Sequence, residues 1–380
     1  MAFIFLATGP VAILLAVGKQ GGLSEADISS WMFGSFFLNG LISLAFCWFY
    51  RQPLVFLWSI PGAVLVGPAL GHLSFAEVIG AYHVTGLLML VLGASGLVRR
   101  AMQAAVMPIV MAMVAGVFLR FGLDLVFALR DDIRIAAPMA IAFVALSALP
   151  RLARYLPPLI GALLAGAAAI ALLHRFQPGA GALLSFAHPI LYTPVFSWRA
   201  TVDLVLPLAA TVLAVQNGQG IAVLGAAGHK PPINAVTIAC GAGSVLNGLV
   251  GSVSTCLAGP VNAILAGSGE RRRQYTSGLL VSLLVIAFGA LAPTFTHLML
   301  ATPKAFIATL GGLAMLRVLQ NAFVASFRTT HTFGALVTFI VTVANVPIFN
   351  IGAPFWGLVI GFLCSKLFEP GDFTKPRSNA

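Results

Sequence analysis

Three amides, Gln216, Asn217 and Gln219, sit close together inside an otherwise apolar run, LPLAATVLAVQNGQGIAVLG (206–225). An amide in hydrocarbon costs free energy unless it is hydrogen-bonded, so this cluster should face a polar cavity or a neighbouring helix. The first case would be solute binding. The second would be interhelical glue. Two other stretches, PLVFLWSIPGA (53–63) and GSVSTCLAGPVNA (251–263), read as short extended segments followed by helices that begin at Pro61 and at Gly259-Pro260. Proline breaks a helix there because it lacks the N–H and clashes with the preceding turn. A helix that starts at membrane depth presents unsatisfied N–H groups and roughly half a positive charge, which suits a carboxylate. The candidate solute contacts are therefore Phe56, Trp58 and Ser59 in the first stretch, Ser252, Ser254 and Thr255 in the second, and Gln216 and Asn217 between them in the chain. Thr8, in Thr8-Gly9-Pro10, occupies the matching place in the first apolar run. The competing interpretation is that Pro and Gly merely kink two ordinary helices.

Few titratable groups share these runs. His83 and Asp203 are the candidates for moving a proton, since an imidazole changes charge near neutral pH. Each also has a plainer explanation: a packing histidine, and a carboxylate that complements a helix dipole. Arg120 and Asp124, four residues apart, are expected to pair along one helix face. Cys47, Cys240, Cys256 and Cys364 show no CxxC and no histidine spacing, so no metal and no cofactor is expected. HExxH, GxSxG and P-loop patterns are absent, which leaves no catalytic residue to name and argues against an enzyme.

The elements that must position these residues are membrane helices. The chain is 59% hydrophobic and 8% charged, whereas soluble domains carry about 25% charged residues. Its net charge of +11 comes from small basic clusters between apolar runs, which is the pattern of membrane topology and not of nucleic-acid binding. Fourteen spans are predicted: 1–18, 29–49, 54–70, 76–98, 106–127, 136–149, 157–173, 201–227, 232–250, 252–267, 276–298, 304–326, 333–347 and 351–368. With the N-terminus placed in the cytoplasm, the inside loops and tail hold thirteen of the 21 Lys and Arg residues and the outside holds six. Both termini, including the tail 369–380, are thus expected to be cytoplasmic. The opening MAFIFLATGP lacks a basic n-region and an A-x-A site and reads as a span, though a short one that leaves room for an upstream start.

The halves also resemble each other. PPLIGALLAG (157–166) parallels APFWGLVIG (353–361), MPIVMAMVAGVFLR (107–120) parallels TPKAFIATLGGLAMLR (302–317), and TGLLMLVLGASG (85–96) echoes SGLLVSLLVIAFGA (277–290). The two broken spans, third and tenth, share the same order. Because seven is odd, a second copy of seven spans enters the membrane from the opposite side, so the expected fold is an all-α polytopic membrane protein built as a 7+7 inverted repeat.

Four stretches together resemble the benzoate:proton symporter family of bacterial inner membranes: FYRQPLVFLWSIPGA (49–63), AGVFLRFGLD (115–124), LPLAATVLAVQNGQGIAVLGAAGHKPP (206–232) and IGAPFWGLVIG (351–361). The resemblance runs the length of the chain. It implies a fold similar to that of uracil permeases and anion exchangers, with a core domain (1–98 and 201–298) carrying solute between the broken spans. A gate domain (106–173 and 304–368) would lie against it. Trp58, Ser59, Gln216, Asn217 and Ser254 would then be the ligand-facing positions. The implied activity is proton-coupled uptake of benzoate or a related small carboxylate by an elevator-like movement within the lipid bilayer, with room for a homodimer. Two departures touch the implied site: LATGPVAI replaces a run of small residues in the first span, and Cys256 and Pro260 interrupt the tenth. They widen the choice of solute. Transport of an uncharged solute such as a nucleobase is the alternative, as is a non-transporting scaffold or receptor. The amide of Gln216, where uracil-type proteins usually carry an acid, favours an anion.

Overall fold

The computed structural model describes residues 2–153, 155–177, 184–267, 269–349 and 351–374, with the side chains of Ile4, Phe5, Thr8, Ala104 and Pro150 outside that description. Six helices among the described residues are long and apolar enough to cross a membrane, and six more are apolar but shorter. Two of the helices are sealed at their starts by reciprocal caps. Ser24 accepts from the Asp27 N–H while the Asp27 carboxylate accepts from the Ser24 N–H, and Ser74 and Glu77 repeat the arrangement at the start of Phe75–Ser95. That helix ends where Gly96 turns left-handed (φ 71°), three residues before the predicted boundary.

The eleventh predicted segment is two helices, Gln274–Ala290 and Ala292–Leu300, because Pro293 has no N–H with which to continue the first ladder. The eighth is one helical rod from Trp198 to Ala226 that widens into π-helical turns at Thr201–Val205 and Thr211–Asn217. The predicted breaks in the third and tenth segments are present. Strand β1 (Phe56–Trp58) precedes the helix Ile60–Ala69, and strand β2 (Thr255–Leu257) precedes the helix Gly259–Ala266.

Close packing relies on small residues. Phe75–Ser95 and Ile233–Leu249 approach so tightly that a Cβ at Gly86 would stand 2.9 Å from the Gly241 carbonyl oxygen. Met107–Asp131 packs on Lys304–Phe327 and on Thr332–Ala344, which in turn packs on Ala353–Phe368. The first helix, Ala2–Gln20, lies between Ile60–Ala69 on one side and Lys304–Phe327 on the other. Arg120 and Asp124 form the expected i,i+4 pair at 3.1 Å.

Candidate solute site

The site is built on the two short strands. They pair antiparallel, Phe56 with Leu257, Leu57 with Cys256 and Trp58 with Thr255. Extended backbone is tolerated at membrane depth only when its polar groups are satisfied inside the protein. Here they are. Asn262 accepts from the Val55 N–H at 3.0 Å and donates to the Val55 carbonyl at 3.1 Å. The Ser43 hydroxyl takes the Phe56 N–H at 2.7 Å, and Ser244 takes the Thr255 N–H at 3.0 Å. Asn217 Oδ1 accepts from the Leu257 N–H at 2.8 Å.

Several of the predicted contacts are engaged in holding this frame. Asn217 is 1% exposed, spent on Leu257 and on the thiol of Cys240. Thr255 donates to Asn39 Oδ1 at 2.8 Å and accepts from Asn247 Nδ2 at 3.0 Å. Ser252 bonds Ser35 at 2.9 Å, and Phe56 stacks edge-on against Phe46 inside the protein. Ser59 caps its helix by accepting from the Gly62 N–H at 3.1 Å. Ser254 is buried with a hydroxyl that has no partner, while its carbonyl accepts from the Ser59 N–H. The expectation for Thr8 lies outside the described side chains.

Trp58 and Gln216 do come together. With Pro10, Ile60 and Pro260 they line a small pocket of about 20 Å³ at the strand ends. Gln216 also lines a cavity of about 1130 Å³ whose walls are mostly apolar, including Met107, Met111, Phe118 and Leu313. Its amide, 6% exposed, makes no hydrogen bond with a described residue. Adjacent residues on a helix face different ways, and here Asn217 meets the strand while Gln216 lies at the cavity. Gln219, the third of the clustered amides, lines the same cavity, as do Arg317 and Asn321, to which sequence reasoning assigned no solute contact. Arg317 is its charged residue, and its place inside an apolar run was the available signal.

Neither proton candidate reaches this cavity. His83 lies against Gly248 and Phe196, with Nδ1 on the Ile79 carbonyl at 2.9 Å and Nε2 unpartnered. Asp203 lines a separate pocket of about 220 Å³ together with His72 and Gly352. Among the described residues no cluster of three or more His, Cys, Asp or Glu could hold a metal.

Paired broken helices inside a polytopic helical membrane protein, with a cavity at their junction, define a membrane-transporter fold. In agreement, the transmembrane domain of a cyanobacterial bicarbonate transporter, BicA, matches this structure with a TM-score of 0.65 over 95% of this chain and 96% of that one, at 15% identity. The family model described as "Benzoate membrane transport protein" matches residues 1–367, and the chain belongs to that family. Its members are transporters and not enzymes. The "Benzoate membrane transport protein" of Acinetobacter baylyi is 24% identical over 96% of this chain and 92% of its own length. "Inner membrane protein YdcO" of Escherichia coli is 28% identical over 93% and 90%.

Proposed function

We propose that this transporter carries benzoate or a related small aromatic carboxylate across the inner membrane together with a proton. The observation that carries the reading is the Gln216 amide, without a hydrogen-bond partner among the described residues and lining both the pocket beside Trp58 and the large cavity. The starts of Ile60–Ala69 and Gly259–Ala266 flank it and add positive dipole ends. A carboxylate would take the amide N–H and the dipole ends. An aromatic ring would take the apolar wall. No Asp or Glu lines the cavity among the described residues, which favours an anion over a cationic solute. A compensating cation is needed because a carboxylate entering a negative-inside cell is opposed by about 2.3 kcal/mol per 100 mV.

The arrangement we favour is fourteen spans in a 7+7 inverted repeat with both termini cytoplasmic. Antiparallel pairing of strands contributed by the two halves supports it. The core would be 1–98 and 201–298, the gate 106–173 and 304–368, and solute would move by an elevator-like displacement of one against the other. The cavity reaches Ala153, in the short helix that carries Arg151, and Ala325, three residues before Arg328, so the conformation is read as inward-open. The test is uptake of radiolabelled benzoate into proteoliposomes with and without an imposed pH gradient. Accumulation that requires acid outside is expected; uptake of a nucleobase with none of benzoate would overturn the reading.

A further inference from the structure

The second pocket holds a buried carboxylate at the boundary between the two sets of helices. Asp203 is 3% exposed and belongs to the π-helical turn Thr201–Val205 of the eighth segment. One of its oxygens, Oδ2, lies 2.7 Å from His72 Nε2, just beyond the third segment. The other, Oδ1, accepts from the backbone N–H of Gly352 at 2.7 Å, at the start of the fourteenth. A Cβ on residue 352 would sit 2.6 Å from that oxygen, so a larger residue there would force the carboxylate to move. Deeper along the boundary the contact is between small apolar groups, as at Gly9 and Ala314.

We propose that His72 and Asp203 together form a proton-binding site, loaded from the pocket they line, that fastens the eighth segment to the fourteenth when empty and releases it when filled. An unprotonated pair carries one buried negative charge, and Gly352 is one of its two hydrogen-bond donors. A charge-assisted bond of this kind is about twice as strong as a neutral one. Uptake of one proton makes the pair neutral as a unit: on Asp203 it removes the charge that assists the bond to Gly352, and on His72 it sets an imidazolium beside the carboxylate that offsets the same charge and weakens that bond. The remaining pocket walls, among them Leu65, Ala69, Leu204, Asn345 and Pro354, do not titrate. Of the charged groups on the packed helices, Glu77 interacts with Arg199, His83 faces Gly248, and Lys366 lies at the far end of Ala353–Phe368. The geometry gives the coupled transport proposed above a place where a proton changes the hold between core and gate, and to that extent it rests on that reading.

The test needs no substrate. Ala69, 3% exposed and on the pocket wall, is changed to cysteine in the purified full-length protein. Its rate of reaction with a hydrophilic thiol reagent at pH 5.5 and 8 is divided by that of a Leu191→Cys reference, a position 78% exposed. The normalised rate should rise at least threefold at the acid pH, and should be flat when Asp203→Asn or His72→Gln is added. A normalised rate independent of pH in the parent, or an unchanged response in both added variants, overturns the proposal. Benzoate transport failing in the same preparation would instead count against the function proposed above.

Discussion

Asn217 and Gln216 are neighbours of the same chemical type, and leucine in their places should do opposite things. The Asn217 side chain takes the Leu257 N–H at 2.8 Å where neither residue is reached by water. Leucine at 217 fills a similar volume and leaves that N–H buried and unpaired, which costs about 1–3 kcal/mol. That corresponds to a fall of about 5- to 150-fold in the ratio of folded to unfolded protein. Gln216 makes no such bond with a described residue, so Gln216→Leu loses no partner among them and gains apolar contact on a largely buried surface. Its stability should match or exceed the parent's while uptake is abolished. The assay is the monodisperse fraction surviving a heating series in detergent, read by size-exclusion chromatography, beside uptake in proteoliposomes. If Asn217→Leu survives heating like the parent while Gln216→Leu collapses, the directions assigned to the two side chains are wrong.

The same heating assay should separate two serines: Ser59→Ala loses a helix cap worth about 1 kcal/mol, whereas Ser254→Ala removes a buried hydroxyl without a partner and should cost nothing measurable. Equal losses would contradict the cap. Beyond the fourteenth segment, burial pushes the Glu369 carboxyl up, but hydrogen bonds from the Gly334 and Phe333 N–H groups outweigh it and hold the group below its usual range. Its contribution to stability is therefore present above the ordinary carboxylate range and lost as pH falls through the depressed value, so the deficit of Glu369→Gln should shrink from about pH 7 towards pH 3. A deficit constant with pH would assign it to packing. Cysteines placed at 271–273 and beside Lys230 should react only from the cytoplasmic face; labelling of either from outside intact cells would break the proposed topology.

Much of the frame could be read from local chemistry. Pro61 and Pro260 announce the two breaks because a missing N–H acts on the residue's own turn, and Arg120 finds Asp124 because helical spacing alone brings them together. What sequence could not supply was direction and distance. Gln216 and Asn217 look alike in a run of apolar residues, and although helical spacing turns neighbours to different faces, which face meets the strand and which the cavity is set by the packed fold. His83 drew attention by lying in an apolar stretch, yet it packs against Gly248 and lines none of the three pockets described. His72, in an unremarkable Gly-His-Leu-Ser turn, meets a carboxylate that is 131 positions further along the chain. Such a meeting is a property of the assembled fold.

The strand pair bears on how the protein is made. Trp58 finds its partner Thr255 only after most of the chain has been synthesised. At about 5–20 residues per second, the first broken segment waits on the order of 10–40 s before that partner exists. Throughout that interval β1 has unpaired N–H and carbonyl groups that hydrocarbon cannot satisfy. The N-terminal half should therefore linger at the insertion machinery or in contact with an insertase, and a chain cut short before residue 255 should be degraded and not accumulate as a stable half.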